Sequence, residues 1–162
     1  MKGGAHVIKA RDIMTKDVIT VHPDTEIIQA AKLMLDNHLS GLPVVDKGGH
    51  LKGIICQSDL MAQQKKIPVP SFFVLLDSAI SFASQKNIEA EVKKMMAFKV
   101  SEAMTPDPIT VDPETSLEDI ATLTVKYNVH TLPVCDQGRL VGVIGKEDIL
   151  RTLMPTQKRE PV

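Results

Sequence analysis

Aromatic side chains are scarce in this chain: tryptophan is absent, tyrosine occurs once and phenylalanine four times. With so few rings to stack on bases, and with lysine pairs as sparse as Lys65-Lys66 and Lys93-Lys94, nothing supports a nucleic-acid surface. Charge of one sign is missing too. Nineteen basic and twenty acidic residues leave a formal net charge of −1, so no field points to nucleic acid or to a membrane surface. The two cysteines, Cys56 and Cys135, stand in unrelated contexts without metal-ligand spacing, which excludes a disulfide framework and a metal site and suits a reducing cytoplasm. The longest apolar run, Phe72–Leu76, is far too short to span a bilayer, and the opening MKGGAHVIKA lacks the apolar core of a signal peptide. No membrane segment is expected.

What the chain does have is repetition. GIICQSDL at Gly53–Leu60 and GVIGKEDI at Gly142–Ile149 share one skeleton: glycine, two branched apolar residues, three variable positions, aspartate, an aliphatic. The likeness extends outward. Met14-Thr15, Ile19-Thr20-Val21, Pro23, Thr25, Leu42-Pro43-Val44 and Asp46 match Met104-Thr105, Ile109-Thr110-Val111, Pro113, Thr115, Leu132-Pro133-Val134 and Asp136. A single one-residue gap falls at Lys47-Gly48-Gly49-His50 against Gln137-Gly138-Arg139, where a hairpin turn absorbs a change in length. One supersecondary unit is therefore written twice.

Each copy parses alike. Val18–Val21 and Ile109–Val111 read as short β-branched strands, ended by Pro-Asp-Thr or Pro-Glu-Thr, which starts a helix. In the second copy Thr115 and Glu118 have the spacing of a capping box. The first helix is expected to run to about His38, with Ile27, Ala31, Met34 and Leu35 on one buried face. Strands Leu42–Val45 and Leu51–Ile55 follow across the glycine-rich turn, and Asp59 and Asp148 open a last short helix.

The MT-x-D-x-IT-V opening, the P-x-T helix start, the LPVVD or LPVCD strand and the closing glycine-to-aspartate phrase together resemble a pair of cystathionine-β-synthase (CBS) domains. The resemblance implies an α/β (α+β) fold: two β-α-β-β-α repeats packed sheet to sheet about a pseudo-twofold axis, with a partly helical insert between them. Residues 1–10 form an arm, 11–61 the first repeat, 62–99 the insert, 100–153 the second repeat and 154–162 a tail. Within the insert, Ile88, Val92, Met95 and Met96 make an amphipathic stripe. Packing on the chain's own repeats, a dimer contact and a docking face are its open readings, shared with Phe72–Leu76.

A carboxylate in the first turn of a helix can accept both ribose hydroxyls, and free N–H groups at that end favour phosphate. A lone aspartate there would simply complement the macrodipole, but the double occurrence favours the ribose role for Asp59 and Asp148. The resemblance further implies composite clefts for an adenosyl ligand. One would join Ile54, Cys56 and Asp59 to Thr105, Pro108, Val129, His130 and Thr131. The other would join Val143, Gly145 and Asp148 to Thr15, Val18, Leu39, Ser40 and Gly41. His130 reads equally as a phosphate neighbour and as an exposed or capping histidine, while Val129 and Leu39 read first as core. Lys146 and Lys52 could offer charge to a phosphate but read first as surface.

The chain departs from the family where a serine or threonine usually stands three residues before the aspartate. Cys56 and Gly145 occupy those places, removing a hydrogen bond of about 0.5–1.5 kcal/mol. Cys56 and Cys135 read as small hydrophobes, and the methionines as core filling, with Met14 and Met104 on the repeat pattern.

The expected function is a regulatory module binding AMP, ADP, ATP, S-adenosylmethionine or a related adenosyl compound, with no required cofactor. A ligand-silent pair serving as a dimerisation or interaction scaffold is the alternative. The insert holds no histidine or cysteine and no nucleophile–base pairing, so no catalytic residues are expected. A homodimer signalling to a separate effector protein is expected.

Overall fold

The structure, a computed structural model, describes residues 6–64 and 98–154, so the stripe at 88–96 and the run at 72–76 lie outside the described residues. In chain order the elements are α1 (Ala10–Ile13), α2 (Ile27–Asp36), β1 (Gly41–Val45), β2 (Leu51–Cys56), α3 (Gln57–Gln64), α4 (Val100–Ala103), β3 (Thr105–Pro106), α5 (Leu117–Lys126), β4 (Thr131–Asp136), β5 (Arg139–Gly145) and α6 (Lys146–Arg151). The mixed α+β class is the expected one, with small antiparallel sheets ordered β1-β2-β3 and β4-β5, but each repeat opens on a short helix, α1 or α4, rather than on the expected strand.

The compact units do not follow the repeat boundaries. Residues Ile19–Pro108 form one unit, and the chain up to Val18 joins the chain from Ile109 onward in the other. Each repeat's opening arm is thus built into the unit of the other repeat. In the Ile19–Pro108 unit, Val100 is fully buried with Val21, Ala30, Met34, Leu42, Val44 and Ile55, and β3 pairs with β2 at Ile54↔Thr105 and Gly53↔Pro106. In the other unit, Ala10 is fully buried with Val111, Ile120, Leu132, Val134 and Ile144. There Thr15 exchanges both backbone hydrogen bonds with Val143, at 2.9 and 3.0 Å. Lys9 and Arg11 both pair with Glu114, and the Lys9 ammonium foremost holds that carboxyl below its usual range.

The arms explain the glycine that leads each repeated phrase. A Cβ on Gly53 would stand 2.7 Å from the Thr105 carbonyl oxygen and 2.8 Å from Met104 Sδ. A Cβ on Gly142 would stand 2.4 Å from Met14 Sδ and 2.8 Å from its Cγ. Glycine permits the arm to lie flat on the strand.

Several local expectations change. Val18–Val21 and Ile109–Val111 are not strands; only Val21 and Val111 form isolated parallel bridges, to Val44 and Val134. The neighbouring residues Pro43 and Pro133 accept from Val21 and Val111 N–H groups but have no N–H to return, so the ladder cannot extend. The expected capping box of Thr115 and Glu118 does not form, and the N-cap of α5 is the next residue, Ser116. Thr115 Oγ1 instead accepts from the Asp112 N–H at 3.0 Å, closing the turn, and the cap passes to Ser116, whose hydroxyl accepts from Asp119 N–H and donates to its carboxylate. Helix α2 stops at Asp36, because Asn37 caps it and His38 takes a left-handed φ of 54°. Leu39 N–H then returns to Met34 O and His38 N–H to Leu35 O, the Schellman pattern, which Asn128 and Val129 repeat after α5. The buried face of α2 centres on Ala30 and Met34; Ile27 and Ala31 are half-buried and Leu35 is 70% exposed.

The hairpins differ as the gap implies. Gln137 and Gly138, at φ 50° and 79°, link β4 to β5 as a two-residue turn with both φ positive. The longer β1–β2 connection is organised by Asp46, whose carboxylate accepts from Gly48 and His50 N–H groups at 2.9 and 3.0 Å. Lys52 lies 3.4 Å from the same carboxylate.

Candidate functional site

The two repeated phrases build the same local device. Strand β2 runs into α3 at Cys56, and β5 runs into α6 at Gly145. Asp59 Oδ2 turns back to accept the Cys56 N–H at 2.7 Å, and Asp148 Oδ2 accepts the Gly145 N–H at 2.8 Å. Each aspartate therefore satisfies a backbone donor at the strand-to-helix junction and holds its carboxylate in a fixed orientation. The position lacking a hydroxyl is the capping position itself: Gly145 is the N-cap of α6, and Cys56 directly precedes α3.

The Cys56 thiol is pushed up to about 11 by burial and by the nearby Asp59 carboxylate. Cys135, buried in β4, is also raised, by burial and then by Asp112. Both are held as neutral thiols, the opposite of an acidified nucleophile, in keeping with small apolar roles.

The residues expected to form two clefts are distributed between the units. In the Ile19–Pro108 unit, Ile54 is paired with Thr105, and Cys56, Asp59 and Pro108 belong to the same unit. Leu39, Ser40 and Gly41 also lie there: Gly41 is opposite Cys56, the Gln57 N–H donates to Ser40 O, and Gln57 Nε2 donates to Leu39 O. In the other unit, Val143 is bridged to Thr15, Gly145 is opposite Thr131, and Val18, Asp148, Val129 and His130 complete the set. Leu39 and Val129 pack against their cores, whereas Ser40, His130, Thr15 and Thr105 are exposed. Lys52 Nζ lies beside the Asp46 carboxylate of the β1–β2 hairpin.

Two surface grooves were not anticipated. One of about 430 Å³ lies between α2 and the preceding turn, lined by Val21, His22, Thr25, Gln29, Lys32 and Leu33 among others. Another of about 410 Å³ lies between α5 and α6, lined by Ala121, Thr124, Val125, Lys146, Ile149 and Leu150 among others. Among the described residues no cluster of histidine, cysteine, aspartate or glutamate could hold a metal ion, and no helix is long and apolar enough to cross a membrane.

The family model of the CBS domain matches residues 10–66 and again 100–155. The chain belongs to the CBS-domain family. A CBS domain-containing protein of Dictyostelium discoideum is 31% identical over 155 residues, spanning 95% of this chain and 97% of that one. Among solved structures, Arabidopsis thaliana CBSX2 in complex with AMP is 26% identical, with a TM-score of 0.67 over 90% of this chain and 95% of that one. The CBS domain pair of protein MJ0100, in complex with 5′-methylthioadenosine and S-adenosyl-L-methionine, is 28% identical, with a TM-score of 0.66 over 91% and 96%. Several enzymes also match, but this chain spans less than a quarter of their length.

Proposed function

We propose that this CBS pair is a regulatory module that binds an adenosine nucleotide or related adenosyl ligand and signals occupancy to a separate protein. The observation that carries the reading is the doubled carboxylate: Asp59 and Asp148 are each held by a backbone N–H at the end of a glycine-led strand, leaving further acceptor capacity for a ribose diol. The complexes of its relatives with AMP and with S-adenosyl-L-methionine support the ligand class. In this reading the clefts are composite: Asp59, Ile54, Cys56, Thr105 and Pro108 act with Val129, His130 and Thr131, and Asp148, Val143, Gly145, Thr15 and Val18 act with Leu39, Ser40 and Gly41. The chain performs no chemistry of its own, works in a reducing cytoplasm where Cys56 and Cys135 stay free, and needs no cofactor.

The same reading makes the chain a homodimer. Its support is two matching pairs of exposed apolar side chains, Leu35 with Met61 at 70% and 59%, and Val125 with Leu150 at 82% and 59%. Light scattering at tens of micromolar should return a dimer mass, and a monomer mass would reject this part.

Calorimetry with AMP, ADP, ATP and S-adenosylmethionine tests the ligand. Asn at either position keeps the oxygen that accepts the backbone N–H, so Asp59→Asn and Asp148→Asn should fold normally and each weaken binding at its own cleft by about tenfold or more. The absent hydroxyls at Cys56 and Gly145 favour a second reading, a ligand-silent interaction scaffold. Absence of heat from all four ligands would select it.

A further inference from the structure

The two phrases are alike in how each aspartate holds its own backbone and unlike in what faces the other carboxylate oxygen. In the second phrase, Arg151 Nη1 lies 3.6 Å from Asp148 Oδ1, and Arg151 Nη2 lies 3.6 Å from Glu147 Oε2. The side chain of Asp148 is only 14% exposed, whereas that of Arg151 is 73% exposed. In the first phrase the corresponding residues are Ser58 and Ala62, and among the described residues Asp59 carries no ion pair. Both aspartates have spent one acceptor site of Oδ2 on a backbone N–H, but among the described residues only Asp148 has a cation against Oδ1.

We propose that Arg151 is a specificity-determining residue that latches Asp148, so that the two aspartates are unequal acceptors and an adenosyl ligand fills the Asp59 site first. This rests on the adenosyl reading above and adds to it which site leads and which residue decides. A ribose diol presents two O–H donors in a fixed relation, and a carboxylate receives them best when both oxygens still have free lone pairs. At Asp59 that condition holds beyond the single backbone bond. At Asp148 the diol must displace Arg151 or share Oδ1 with it. Glu147 Oε2 lies 3.6 Å from Arg151 Nη2, so the guanidinium faces two carboxylates of α6 at once. Because Arg151 is 73% exposed, the pair is screened by solvent, and the handicap it imposes is about two- to five-fold in affinity rather than a block.

The test uses the full chain and AMP, with each site read alone. In the Asp59→Asn chain, calorimetry reports the Asp148 site, and adding Arg151→Ala should tighten AMP binding about two- to five-fold. In the Asp148→Asn chain, which reports the Asp59 site, Arg151→Ala should change nothing. Without ligand, Asp148→Asn and Arg151→Ala should be non-additive in urea midpoint, since each removes the same contact. Unchanged or weaker AMP binding on adding Arg151→Ala to the Asp59→Asn chain would overturn the latch, as would an equal change at both sites or strict additivity without ligand. Absence of heat from the wild-type chain would overturn the adenosyl reading and the latch together, whereas heat from wild type with no effect of Arg151→Ala overturns the latch alone.

Discussion

Replacing Gly53 by alanine should destabilise the chain more than the same change at Gly142, although the two glycines hold equivalent places in the repeat. At Gly53 the new methyl would stand 2.7 Å from the carbonyl oxygen of Thr105. Ordinary contact begins near 3.4 Å, so the carbonyl must retreat by about 0.7 Å. That oxygen belongs to β3, which is only two residues long and is held against β2 at Gly53 and Ile54, so the retreat loosens the pairing itself. Overpacking of this kind costs about 1–3 kcal/mol, and the weakened strand pairing puts Gly53→Ala toward the upper end. In a domain of this size that is about 4–10 °C in Tm. At Gly142 the atoms in the way, Met14 Sδ at 2.4 Å and Cγ at 2.8 Å, belong to a flexible side chain that can rotate aside. Met14→Ala should therefore reduce the cost of Gly142→Ala, whereas Met104→Ala should leave most of the cost of Gly53→Ala in place, because the Thr105 carbonyl remains. Urea or thermal unfolding of the two double-mutant cycles reads this directly. A neutral Gly53→Ala, or its full rescue by Met104→Ala, would refute the claim that the arm's backbone lies on the glycine.

Cys56 should alkylate very slowly at pH 8, with the iodoacetamide rate still rising past pH 10, because its pKa of about 11 leaves about one thiol in a thousand ionised at pH 8. Its folded pKa lies above the unfolded value, so the stability linked to it is complete below about pH 9 and declines as pH rises toward 11. Asp46 should titrate near pH 2 by carbon NMR, since the His50 N–H chiefly, with Gly48 and Lys52, favours the ionised form against its burial. Its contribution is complete above the ordinary carboxylate range and declines as pH falls from about 4 to 2, and Asp46→Ala should abolish that part of the acid profile. Restoring a hydroxyl with Cys56→Ser or Gly145→Ser should tighten AMP binding by up to about tenfold if the adenosyl reading holds. A gain in Tm without a gain in affinity would assign that hydroxyl to helix capping alone.

Patterns that repeat within a few residues are legible in the amino-acid order alone. The glycine-to-aspartate phrase, the hairpin at the one-residue gap and the two cysteines, one half-buried and one buried, all stand where local spacing puts them. The partner of the Met-Thr arm is not written in local spacing, because Met14 and Thr15 carry no mark saying that their glycine lies at Gly142 rather than at Gly53; it is the family resemblance that sets Thr15 beside Val143 and Thr105 beside Ile54. The Thr115 cap shifts by one because two adjacent hydroxyls compete for two nearby N–H donors, a contest decided by turn geometry. Leu35 fits the helical period of α2, but the sheet covers only the side bearing Ala30 and Met34. At the site, the aspartates are identifiable by type and repetition. That each turns an oxygen back onto its own backbone, and that Arg151 faces only one of them, depends on rotamers that spacing does not encode.

The crossed arms bear on what counts as a complete folding unit. A single repeat carries a methionine arm fitted to a glycine it does not own and a glycine strand left uncovered, so on its own it is both a plug without a socket and a socket without a plug. Two separate copies could satisfy one another only by trading arms, at a rate and extent set by their concentration. Linking the copies in one chain makes that trade intramolecular, and the proximity conferred by the connection replaces dependence on concentration. Cleavage midway between the repeats would then yield two fragments that still need one another, and they should reassemble as a pair rather than fold apart.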